Sequence, residues 1–170
     1  LAIALAEVGA IAERRMDRML DATRSHGLPP FLAAEAGVDS GLMIGHYTAA
    51  GMASENKRLA APASVDSLPT SGMQEDHVSM AWASVRKLRK LIDNLRRILA
   101  VEYVIAARAV DLRAPLEPAP ATGAAIAVLR TVVAGVGPDR YLAPELAAAE
   151  EVLRADSPAE AMAAHGVVLD

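Results

Sequence analysis

One polar stretch, Ser64 to Met80 (SVDSLPTSGMQEDHVSM), holds most of the side chains able to do chemistry. Hydroxyls, the acids Asp66, Glu75 and Asp76, the amide of Gln74 and the imidazole of His77 fall within it, and Pro69 breaks it. Glu75 is the candidate acid or base. A carboxylate shielded by flanking apolar helices suits proton transfer near neutral pH. Ser71 with Gln74 three residues on has the spacing of a capping box. That reading puts Gln74, Glu75 and Asp76 in the first turn of the next helix, where free N–H groups and the helix dipole favour carboxylates. First-turn acids are common caps, so position alone does not make Glu75 catalytic.

Other constellations are weaker. A phosphate-binding loop, a dinucleotide fingerprint, His-Glu-x-x-His and Cys/His metal spacing are all missing. The histidines His26, His46, His77 and His165 are scattered, so no metal site is expected. Ser71, His77 and Asp66 imitate a hydrolase triad, but no nucleophile elbow surrounds a serine. Arg86, Lys87, Arg89, Lys90, Arg96 and Arg97 form a basic cluster. Asp93 interrupts it and no aromatics interleave it, so a salt-bridged face is expected rather than a nucleic-acid site.

The elements around the polar stretch read as helices. The first runs from about Leu1 to His26, with Leu1, Leu5, Val8, Ala12, Met16 and Met19 at helical spacing. Gly27 and Pro29-Pro30 stop it. A loop to Gly41 follows, with Phe31 expected as a plug into the core. The second helix, about Leu42 to Ala60, mixes small and polar residues without a clean solvent face. It is expected to be mostly buried, in part against another subunit.

The third helix is expected from Gln74 to Leu112, roughly 55 Å long at the usual rise. Val78, Ala81, Val85, Leu88, Ile92, Leu95 and Leu99 form its near-heptad seam. Its later part is apolar all round, so Glu102 inside it needs a partner or a raised pKa, with a structural ion pair or hydrogen bond the plainer account. Arg113 to Gly123 reads as a proline-rich linker. Shorter helices follow from about Gly123 to Ala134, from Pro144 to Ala155, and after Ser157-Pro158, and the tail is weak. The division is therefore 1–113, a helical bundle segment with one wall of the active site, and 114–170, linker and short helices.

Composition fits an all-α chain. The 170 residues are 53% hydrophobic, much of that alanine, and only 3% aromatic, which favours closely packed helices. The net charge of −4 gives no global attraction to nucleic acid or anionic membrane. With no cysteine, thiolate chemistry and disulfides are excluded. That suits a reducing compartment, and a cytoplasmic location is the expectation. No apolar run reaches the ~18 residues a spanning helix needs. Leu1 to Ala12 carries Glu7 and no basic leader, so it makes a poor signal peptide. It also starts inside an apolar stripe without a cap, so further residues are expected upstream.

Longer motifs carry a resemblance. Gly27-Leu-Pro-Pro-Phe-Leu, Gly41-Leu-Met-Ile, Ala53-Ser-Glu-Asn-Lys57, Pro62 through Ser71 and Gln74 through Met80 resemble the aromatic amino acid lyase family, in its histidine-using branch. Ala100-Val-Glu-Tyr to Asp111-Leu-Arg113 is similar to that family's long helix. The resemblance covers essentially residues 1 to 113 and matches the C-terminal portion of such enzymes. It implies an all-α, long-helix bundle assembled as a homotetramer, with active sites shared between subunits. It also implies elimination of ammonia from L-histidine to give urocanate.

The family's electrophile, a methylidene-imidazolone (MIO) made from an internal Ala-Ser-Gly, would come from a segment not in this sequence. Asp39-Ser-Gly41, Thr70-Ser-Gly72 and Ala63-Ser-Val65 are the near forms here. This chain alone is therefore expected to be inactive. Carried over residue by residue, Glu75 matches the family's active-site glutamate, as base or as anchor of the substrate imidazole. Gln74 would orient it or line the pocket. Two departures stand out: Ser71-Gly72-Met73 replaces the family's usual Ser-Ala-Asn, and His46-Tyr47 stands where Gln and an aliphatic residue are frequent. They leave open a related lyase or aminomutase on another amino acid. A purely structural oligomerisation fragment is the other alternative.

Overall fold

The apolar stripes of the first and third segments, with a stripe of small residues on the second, build a helical bundle. In the computed structural model, residues 1–167 are described and contain helices and turns but no strand. The helices are α1 (Ala2–Leu20), α2 (Met43–Leu59), α3 (Ala81–Asp111), α4 (Pro120–Arg130), α5 (Ala143–Arg154) and α6 (Ser157–Ala163). Single 3-10 turns at Pro30–Leu32 and Ser71–Met73 punctuate the long connections. No helix among the described residues is long and apolar enough to cross a membrane.

α3 is the axis of the fold. It packs against α1, α2 and α5, while α4 packs mainly on α6. Its apolar stripe meets Ala12, Met16 and Leu20 of α1 and Ala49 and Ala53 of α2, through Ile98, Val101, Val104 and Ile105. Leu129, Val133 and Ala149 extend the same core to the C-terminal helices. Small residues let the helices approach closely. A methyl group on Gly9 would sit 3.4 Å from Ile98 Cδ1, in contact with α3.

Several expectations need correction. α3 starts at Ala81 rather than Gln74, so its 31 residues span about 46 Å. Of that seam only Leu95 is buried: Ala81 and Val85 are exposed, and Val78, Leu88, Ile92 and Leu99 are half-buried, because the inward stripe runs through Leu91, Leu95, Ile98 and Val101 instead. α2 does have an open face. Gly45, Ala49, Ala53 and Asn56 are buried in line, whereas Ile44 and Tyr47 are 59% and 69% exposed.

Phe31 is not the core plug. It lies 42% exposed at φ +55, and its neighbour Leu32, at φ +53, is the fully buried side chain. The left-handed turn reverses which of the two faces inward. The first C-terminal helix runs over Pro120–Arg130, with Pro at its first turn, so only the end of the expected linker, from Pro120 to Gly123, is helical.

Polar contacts fasten the pieces. Glu102 has its expected partner: Arg15 donates both to Glu102 Oε1 and, at 2.9 Å, to Oε2. The basic face of α3 is paired in part. Lys90 meets Glu55 at 2.5 Å, Arg97 meets Glu150 at 3.4 Å, and Lys87 donates to the Ala61 carbonyl. Exposed pairs of this kind contribute little each.

A latch joins the C-terminal part to the loop before α2. Asp139 accepts N–H bonds from Ser40 and Gly41 at 2.7 and 2.8 Å, and Asp39 accepts the Asp139 N–H at 3.2 Å. Beneath it, Arg108 is buried and donates to the Gly137 carbonyl at 3.0 Å.

The Ser40 N–H bond, more than any other contact, holds the Asp139 carboxyl below its ordinary range. A depressed carboxylate stabilises the fold above its unfolded pKa and loses that contribution as pH falls through its folded value. Asp139→Ala should therefore be less stable than the wild type at pH 7. In thermal denaturation the gap should close as the pH drops below the ordinary carboxylate range.

Candidate active-site wall

The polar stretch forms a closed arch rather than a helix start. Pro62 and Pro69 keep it out of helix. At its base, Ser67 Oγ accepts the Val78 N–H at 2.9 Å and donates to the Val78 carbonyl at 3.2 Å. Higher up, Thr70 N–H donates to the Glu75 carbonyl at 2.9 Å and Glu75 N–H returns a bond to the Thr70 carbonyl at 3.3 Å. The tip between these rungs is left-handed, with φ +53, +62 and +72 at Ser71, Gly72 and Met73. Left-handed backbone costs a non-glycine residue about 1 kcal/mol or more. The rungs hold the tip in that state.

This geometry overturns the capping box. Ser71 and Gln74 belong to the arch tip, and no side chain caps α3 from Ser71. Ser79 Oγ accepts the Ala81 N–H at 3.3 Å instead, and Met80 is the residue before the first turn. Glu75 and Asp76 therefore do not sit on the N-terminal dipole of α3. Nothing in the sequence pattern reports the Thr70–Glu75 rung, which is a backbone pairing.

Gln74 and Glu75 are held side by side on the arch, and residues 71 to 77 are all exposed. Apolar side chains beside them are exposed too: Val65 82%, Leu68 58%, Met73 71% and Trp82 69%. Among the described residues, the side chains of Ser71, His77 and Asp66 make no hydrogen bond to one another, so the triad is not formed. No group of three or more His, Cys, Asp or Glu among the described residues could hold a metal ion.

Two features escaped the sequence. His46 Nε2 lies 2.6 Å from Glu13 Oε1, bridging α2 to α1. The Arg14 guanidinium, and then His46, hold the Glu13 carboxyl below its ordinary value against the opposing effect of burial. A cavity of 650 Å³ also opens between α2, α3 and α5, bordered by Ile44, Met52, Val101 and Leu146 with the Asp139 latch at one end. Glu75 and Gln74 do not line it.

A helical bundle with a proline-broken Gln-Glu-Asp-His arch defines a class. The family model for aromatic amino acid lyases matches residues 1–131, and the chain belongs to that family. Among its relatives, the histidine ammonia-lyase of Streptomyces avermitilis is 63% identical over 91% of this chain. The crystal structure of histidine ammonia-lyase from Trypanosoma cruzi superposes with a TM-score of 0.93 at 38% identity, covering 100% of this chain and 33% of that one. Tyrosine aminomutase from Streptomyces globisporus superposes at 0.90 with 36% identity, covering 96% of this chain and 31% of that one. The chain spans about 30% of the length of the curated relatives it matches.

The prosthetic group implied by the family resemblance does not fit these residues. Ala-Ser-Gly occurs nowhere in the sequence. Thr70-Ser71-Gly72 is the exposed arch tip. In Asp39-Ser40-Gly41, both Ser40 and Gly41 N–H groups are committed to Asp139.

Proposed function

We propose that this chain is the C-terminal portion of an enzyme that eliminates ammonia from L-histidine to give urocanate. One observation carries the reading: a hydrogen-bonded arch presents Glu75 and Gln74 on an open surface, in a chain 63% identical to a histidine ammonia-lyase. In the elimination a C–H bond at the β-carbon breaks, its electrons form the C=C bond, and the C–N bond releases ammonia. Glu75 either takes the β-proton or accepts an N–H of the substrate imidazole. Gln74 orients that carboxylate or lines the cleft beside it.

Residues 1–113 carry the wall, and the Asp139 latch and α5 brace the bundle behind it. Any electrophile for the amine would have to come from a segment outside these residues. The remaining walls belong to that segment and to other copies in a homotetramer working in the cytoplasm. Metal, nucleic acid and membrane have no part in this reading.

The test is product formation. The whole protein should release ammonia from L-histidine with the near-ultraviolet absorbance of urocanate, and the 170 residues alone should give neither. An intact whole protein that leaves L-histidine unchanged would sink the histidine assignment.

A second reading has its own support. The structural likeness to a tyrosine aminomutase nearly equals that to a histidine ammonia-lyase, at TM-scores of 0.90 and 0.93. On that reading the same wall serves an amine shift on another aromatic amino acid, and a β-amino acid would accumulate instead.

A further inference from the structure

The arch tip carries an apolar side chain with no use inside this chain. Met73 holds φ +72 and is 71% exposed. It is strained there, because left-handed backbone suits Gly, Asn and Asp. Open to water, its thioether gains nothing from burial. It takes no part in the apolar core. Both costs fall on the residue just before Gln74 and Glu75, and the Thr70–Glu75 rung fixes all three on one rigid tip.

We propose that Met73 is a selectivity-determining contact of the Glu75 site, laying its thioether against the ring of the substrate. The inference rests on the reading of Glu75 given above. A methionine sulfur is polarizable and makes favourable contacts with aromatic rings. It offers no hydrogen-bond donor to a polar group on that ring. Glu75 is acceptor-only when ionised and serves a ring N–H edge. Together the two side chains select an α-amino acid whose planar ring has an apolar face and an N–H edge. A ring with no donor on its edge, such as an unsubstituted phenyl, would leave that carboxylate unpaired.

The test uses steady-state kinetics of the whole protein on L-histidine, with thermal denaturation of the same samples. Met73→Asn places a residue that tolerates the left-handed backbone, so its Tm should match or exceed the wild type. Its KM should rise about 5-fold with kcat within about twofold, the scale of a lost sulfur–ring contact. Met73→Leu keeps an apolar face and should recover most of the lost affinity.

A KM within about twofold of wild type in Met73→Asn overturns the inference. So does a fall in kcat accompanied by a lowered Tm, which marks a structural role. Glu75→Gln separates the two failures. Lost turnover in Glu75→Gln with normal kinetics in Met73→Asn overturns Met73 alone. Normal turnover in both overturns the site as well.

Discussion

Glu75→Gln in the whole protein should lower kcat for L-histidine by about 10²- to 10⁴-fold, the usual contribution of a positioned acid or base. Folding should be unaffected. Glu75 is exposed, and what holds it is its backbone, through the Thr70 rung, which glutamine keeps. Glutamine also keeps the shape and loses only the charge and the basicity. Circular dichroism and Tm equal to wild type, beside a collapse of turnover, separate chemistry from stability. A loss seen mainly in KM would assign Glu75 to holding the imidazole. A loss mainly in kcat would assign it to proton removal. Unchanged turnover removes Glu75 from the mechanism.

Gly41→Ala should be the most damaging small substitution in the lead-in to α2. Gly41 holds φ +58, and an added Cβ would fall 2.4 Å from the Phe31 carbonyl oxygen and 2.9 Å from the Ala33 nitrogen. Those neighbours are backbone and cannot swing aside. Left-handed strain of ~1–2 kcal/mol adds to overpacking of ~1–3 kcal/mol, about 3 kcal/mol in sum. The Leu42 N–H bond to the Phe31 carbonyl and the Asp139 bond to Gly41 would be strained together. Thermal denaturation should show a Tm lower by roughly 10 °C for a domain of this size. Gly27→Ala is the control. Gly27 has φ +92 with nothing within 4 Å of a Cβ, so only the backbone strain applies. Equal losses in the two variants would contradict the steric account.

The contrast between these two sites shows what was legible in the chain. The helices α1 and α3 follow from apolar spacing, because burial on one face is a local, periodic property. That Glu102 is partnered was legible too, since a carboxylate inside an apolar segment needs a partner or a raised pKa; that the partner is Arg15 was not. The arch was not. Ser71 and Gln74 satisfy a capping pattern that depends only on residue type and spacing. The fold instead spends the Thr70 and Glu75 amides on each other.

Phe31 and Leu32 make the same point. Residue size favoured Phe31 as the plug, yet two left-handed residues in succession turn Leu32 inward. The latch at Asp139 joins residues about 100 apart, beyond the reach of any local pattern. Glu75 itself came from the family resemblance and the chemistry of its stretch. Its exposed place on the arch follows from the backbone pairing alone.

The central claim is that the arch is one wall of a cleft that other chain segments close over Glu75. A crystal structure of the whole protein with L-histidine or urocanate bound tests it most directly. The claim predicts the Glu75 carboxylate within hydrogen-bonding reach, about 2.6–3.2 Å, of the ligand's imidazole nitrogen, or facing its β-carbon. A ligand seated elsewhere, with Glu75 still open to solvent in the full assembly, would contradict it.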